Sequence, residues 1–185
     1  MKYIKIVTFI YVVLFFSIGS VAARQDDQRL EPLFENLLNA NNRVEAEVIE
    51  QSIWQIWLSS ESDTVDLLMF QAVHQMMSGG FKQAAFLFTA IIEMDPLYAE
   101  AWNKRATVRF LLGDLEGSLA DVGKTLELEQ RHFGALAGLG HIYERLEQYD
   151  KALQAFEKAI ELNPHMPVIS KKIQYLRIKL EARKA

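Results

Sequence analysis

Four histidines, a few scattered hydroxyls and no cysteine set the chemistry open to this chain of 185 residues. His74, His132, His141 and His165 show no paired ligand spacing of the H-E-x-x-H kind, so neither a metal centre nor a cofactor is expected. The lack of cysteine excludes a disulfide framework, a thiolate zinc site and a thiol nucleophile. Thr64, Ser118 and Ser170 lie in no nucleophile motif, and no glycine-rich turn follows a strand to cradle phosphate. Glu45 and Glu47 read as a solvated helix face. Nothing here demands catalysis, and an unrecognised carboxylate site is the enzymatic alternative. With 24 acidic against 20 basic residues the net charge is −4, whereas a nucleic-acid binder would carry a basic footprint. What remains is molecular recognition.

Residues 1–23 read as an address. Lys2 and Lys5 precede the apolar run from Ile6 to Ile18, and Gly19-Ser-Val-Ala-Ala23 ends it in small residues, the three parts of a secretory signal peptide. Cleavage is expected after Ala23, with Ala22 as the alternative. An uncleaved membrane anchor is the rival reading, since the uncharged run is close to the lower limit for crossing a bilayer. Export, to the periplasm if the host is bacterial, follows.

Beyond that segment a 34-residue period organises the chain. Leu68, Trp102 and Leu136 align, as do Ala72, Ala106 and Gly140, then Ala84, Ser118 and Ala152, then Phe88, Val122 and Phe156. Bulky residues fall on bulky and small on small. Leu136, Leu139, Gly140 and Tyr143 follow the stripe of a helix with one buried face, and Ala152, Phe156 and Ala159 mark a second helix after a short break. Gly79-Gly80 and Gly113-Asp114 occupy the same break earlier, where the chain must reverse.

These residues resemble the tetratricopeptide repeat family, abbreviated TPR. Leu136-x2-Leu139-Gly140-x2-Tyr143, Ala152-x3-Phe156, Ala159 and Pro164 follow its pattern with leucine in place of tryptophan, which Trp102 supplies in the unit before. The resemblance implies an all-α, right-handed solenoid of about three helix pairs, at residues 65–98, 99–132 and 133–166. Residues 24–64 are expected to form a helical hairpin closing the N-terminal end, a degenerate repeat in which Glu50 falls where the family wants a small residue. Residues 167–185 are expected to form a capping helix, with Ile169, Ile173, Leu176 and Leu180 inward.

The resemblance also places a binding groove on the first helix of each pair: Met69, Val73 and Met76; Asn103, Thr107 and Phe110; Ala137, His141 and Glu144. The implied work is that of a noncatalytic scaffold holding a protein or peptide there. The alternative for Met69, Val73 and Met76 is packing beneath the N-terminal hairpin. Met69 and Val73 stand where the family's carboxylate-holding variety has lysine and asparagine, so that clamp is missing. Arg105 and Arg109 fall near the inward face and need acids, with Asp95, Glu100 and Asp121 as candidates. Arg109 is therefore expected to matter more for stability than Lys104. Residues 167–185 hold six basic residues and one acid, which would suit a contact with anionic lipid as well as a cap. Self-association through the apolar groove strip is the remaining alternative for a partner.

Overall fold

The structure, a computed structural model, describes residues 27–60 and 62–183. The expected signal segment lies outside the described residues. Within them the chain is all helical: α1 (Leu30–Asn39), α2 (Arg43–Leu58), α3 (Asp63–Met77), α4 (Phe81–Met94), α5 (Ala99–Leu112), α6 (Leu115–Leu128), α7 (Phe133–Arg145), α8 (Tyr149–Leu162) and α9 (Pro167–Ala182). Helices α3/α4, α5/α6 and α7/α8 form successive antiparallel pairs, and α9 packs on the last.

The period of the sequence recurs in the backbone hydrogen bonds. Each first helix ends with the same back-bond: Gly80 N to Gln75 O at 2.8 Å, Asp114 N to Arg109 O at 2.9 Å and Gln148 N to Tyr143 O at 2.9 Å. This closure needs a left-handed residue just past the helix end. Gly79 and Gly113 supply it with φ of 82° and 84°, and Glu147 adopts φ 57° at the third. The second helices end alike, with Asp95, Glu129 and Asn163 donating to the carbonyl four residues back.

Each pair buries the aligned columns. Ala84, Phe88 and Ile91 of α4 pack with Val65, Met69 and Ala72 of α3, and Ala152, Phe156 and Ala159 of α8 with Leu136 of α7. The middle pair is held differently. Arg105 grips Asp121 with two hydrogen bonds of 2.8 Å, donates to Thr89 Oγ1 at 3.1 Å and lies over the Trp102 ring. Arg109 joins the same carboxylate at 2.9 Å. One acid on α6 thus neutralises two cations on α5 and ties α4, α5 and α6 together. The inward placement of both arginines holds, with Asp121 as the shared acid and Glu100 engaged elsewhere.

The capping helix also behaves as read. Ile169, Ile173 and Leu176 are buried, while Gln174 and Arg177 on the outer side are exposed. Lys172 holds both carboxylate oxygens of Glu144 and Arg177 reaches Glu157, so part of the basic charge knits α9 to α7 and α8.

The N-terminal hairpin departs from expectation. It does not close the N-terminal end of the solenoid. Its buried face, Leu30, Phe34, Leu37, Ile53 and Trp57, packs instead with Phe133, and Leu162 and Met166 join the same cluster. Asn163 Nδ2 donates to Glu50 at 2.8 Å, and Tyr98 Oη donates to the Leu58 carbonyl at 2.7 Å. Helix α2 therefore runs backwards along one edge of the solenoid, across the junctions that precede α9, α7 and α5. The physical reason is in the side chains. Trp54, Trp57 and Glu50 are too large or too polar for the close helix contacts that small residues make in a stacked repeat, and along an edge each finds a partner.

Candidate functional site

The groove register, read from the first helices, divides into three parts in the structure. The row on α3 is core. Met69 is buried, and Val73 and Met76 pack partly buried against the same cluster, which Leu58 from the end of α2 also joins. The row packs mainly with α4 and α5, and of the hairpin only Leu58 reaches the same cluster.

The rows on α5 and α7 converge. Asn103, Thr107 and Phe110 face Ala137 and His141 around one cavity of about 350 Å³. Ala106, Gly134 and Gly138 keep its walls low, and Ile142 and Val122 make its floor apolar. Trp54 of the hairpin approaches Gly134 of this wall, where a Cβ would lie 2.8 Å from Trp54 Cη2. Glycine is required there by that approach. A larger cleft of about 590 Å³ lies between α1 and α2, lined by Arg29, Asn36, Ser52 and Gln55 among others, but it includes none of the register residues.

Asn103 is buried. Its amide donates to Glu100 Oε2 at 2.8 Å while the residue still lines the cavity. Glu100 is almost fully buried, with Lys104 2.8 Å from Oε1 and His132 Nε2 2.9 Å from Oε2. Burial opposes the charge on this carboxyl, but Lys104 and His132 outweigh it and hold its pKa below the ordinary value. Lys104 also lies over the Trp54 ring, 5.0 Å from its centroid. This cluster fixes the hairpin against the upper rim of the groove.

His141 lies half-buried at the lower rim, its ring edge-on to Phe156 with centroids 5.0 Å apart. Burial, and then the Lys172 ammonium, push its pKa below the ordinary value against the pull of Glu144. Glu144 is spent on Lys172, at 2.8 and 2.9 Å, and so does not present a free carboxylate to the groove.

A fourth row escaped the sequence reading. One more step of 34 from Asn103/Ala137, Thr107/His141 and Phe110/Glu144 gives Lys171, Tyr175 and Ile178 on α9. All three are exposed, and Lys171 and Tyr175 line a cleft with Glu144, Lys172 and Val168. Carrying the period through the capping helix would have found them. Among the described residues, no group of three histidine or acidic side chains gathers in a way that could hold a metal ion.

A stack of antiparallel helix pairs with a small-residue groove on its first helices defines an α-helical repeat protein of the interaction type. Two tetratricopeptide repeat family models match the chain, over residues 71–127 and 134–166. A TPR repeat-containing protein of Rhizobium etli is 31% identical over 159 residues, spanning 86% of this chain and 78% of that protein. The chain belongs to the tetratricopeptide repeat family. Among solved structures, the first TPR of Spaghetti (RPAP3) bound to the HSP90 peptide SRMEEVD is 18% identical with TM-score 0.63, covering 65% of this chain and 96% of that one. The Yersinia enterocolitica type III secretion chaperone SycD, in complex with a peptide of the translocator YopD, is 17% identical with TM-score 0.61, covering 64% and 96%. At those identities the likeness is one of fold.

Proposed function

We propose that this protein is an exported, noncatalytic scaffold that holds a polypeptide segment in the groove between α5 and α7. The observation that carries the reading is the 350 Å³ cavity on which five register residues from two consecutive repeats converge. Its walls are apolar or small, with Asn103, Thr107 and His141 as the polar points, the usual make-up of a site that takes an apolar side chain and orients the backbone beside it. The similar folds of RPAP3 and SycD were solved with peptides, which supports a peptide as occupant here. With Met69 and Val73 in place of polar groups at the first row, the ligand is held by an internal apolar segment rather than by a terminal carboxylate.

Gly138 gives the direct test. A Cβ there would meet nothing within 4 Å, so a larger side chain projects into open space without disturbing the helix. Affinity capture from the native compartment with wild type and with Gly138→Phe is expected to lose one specific polypeptide in the variant. A partner retained at full yield by Gly138→Phe would move the binding face elsewhere. Export rests on the charged start, apolar middle and small-residue end of residues 1–23. The mass of the protein recovered from its host is expected to correspond to a chain beginning at Arg24, and an intact N-terminus would overturn export by cleavage.

A further inference from the structure

Because the hairpin lies along the edge, the first repeat has lost the neighbour that every later repeat has. Two columns record this. Ala101, Ala135 and Ile169 are buried against the preceding unit, but Leu67 in the same column of α3 is 58% exposed. Val108, Ile142 and Leu176 are buried, and His74 in their column is exposed. Phe70, on the same face, is 70% exposed. Leu67, Phe70, His74 and Met77 are spaced as one stripe along α3, about 15 Å long at the helical rise.

The fourth groove row on α9, together with Val168, makes a stripe of the same spacing at the C-terminal end. Val168, Lys171, Tyr175 and Ile178 share the same spacing on α9, and Ile178 is 68% exposed. The charges at the two ends are opposite. The α3–α4 pair carries Asp63, Asp66, Glu93 and Asp95 against Lys82, whereas on α9 and its C-cap Lys171, Lys179 and Arg183 remain against Glu181 once Lys172 and Arg177 are paired with Glu144 and Glu157. Two α3 faces set against each other would bring acid to acid, and two α9 faces base to base. An α3 face on an α9 face brings apolar stripe to apolar stripe and acid to base.

We propose that copies of this protein associate head to tail, the exposed α3 face of one docking on the exposed α9 face of the next. The contact is heterologous, so it leaves a free end at each addition and builds a row unless the rotation closes a ring. One pair of helix faces buries less than a standard interface of about 1,600 Å², so the row assembles only as concentration rises. It dissolves as salt screens the charges.

Sedimentation of the protein purified from cells expressing the full chain tests this, with Phe70→Glu and Ile178→Glu as variants. Both positions are exposed, and matched circular dichroism will confirm that the variants fold. The wild type is expected to grow in average mass with concentration past that of a dimer. Each single variant is expected to stay monomeric, having lost one of the two faces. Mixed together, Phe70→Glu contributes an intact α9 face and Ile178→Glu an intact α3 face, so the mixture is expected to stop at the dimer. A wild type that stays monomeric at every concentration, a single variant that still associates, or a mixture that stays monomeric would each overturn the proposal.

Discussion

The indole of Trp57 lies flat on the imidazole of His132, ring centroids 4.2 Å apart and planes inclined by 13°. The same imidazole is held in its own plane from both sides. Its Nδ1 accepts from the Ala135 N–H at 3.1 Å and so caps α7, which leaves Nε2 to donate to Glu100 at 2.9 Å. One buried side chain thus starts a helix, satisfies a buried acid and offers the flat surface on which the N-terminal hairpin rests. Trp54 meets it edge-on at 5.4 Å, and Phe133 completes the aromatic cluster. Removing Trp57 leaves a void at this seam. Trp57→Ala is expected to lose about 3–5 kcal/mol of stability, read by urea denaturation, and to make the connection between α2 and α3 the first site of proteolytic cleavage.

Sequence alone ranks Arg109 above Lys104 for stability, since a guanidinium near the inward face is costly to strand, but the contacts argue for the opposite order. In the structure Asp121 keeps both hydrogen bonds from Arg105 when Arg109 is removed. Glu100 has no such reserve at Oε1, a buried atom whose near partner is the Lys104 ammonium. Lys104→Ala is expected to cost about 2 kcal/mol, the desolvation of an abandoned buried acceptor, and more than Arg109→Ala. Thermal unfolding of the two variants side by side checks the order.

The contrast shows which links the residues made legible. The helix pairs from α3 to α8 could be read because stacking imposes the same size on each column every 34 residues, and Ala72, Ala106 and Gly140 obey it. The hairpin could not be placed. Leu30, Leu37, Ile53 and Trp57 announce that a face is buried, but an amphipathic stripe does not say against what. Glu50, at a column that wants a small residue, was the one sign that α2 does not stack. The groove was legible where two rows meet across α5 and α7. On α3 Met69 turns into the core of its own helix pair, against Phe88 and Ile91, which the spacing of Met69, Val73 and Met76 does not reveal.

His141 makes the stability of the groove depend on pH. Burial and Lys172 hold its folded pKa below the ordinary 6.5. As pH falls through that ordinary value the unfolded chain takes up the proton first, so stability declines. The decline ends once pH drops below the folded value, where both states are protonated. The stability difference between wild type and His141→Gln, followed by denaturation across this window, is expected to shift against the wild type as pH falls. A constant difference would show that His141 titrates alike in both states.

Glu147 occupies the turn position that Gly79 and Gly113 fill in the two earlier repeats, at φ 57°. A side chain there crowds its own backbone, at roughly 1–2 kcal/mol for an L residue in the left-handed region, whereas glycine meets no such penalty. Glycine has its own cost, because the unfolded chain gains conformational freedom that folding must remove. The Glu147 side chain is exposed and on a turn, so little packing is lost with it. The balance favours Glu147→Gly, with a gain of about 0.5–1 kcal/mol. Gly113→Ala, the reverse change at the equivalent turn, is expected to lose a similar amount. Thermal melts of the two single variants measure both, and because the turns are related by the repeat, shifts of the same sign would rule out left-handed strain as the cause.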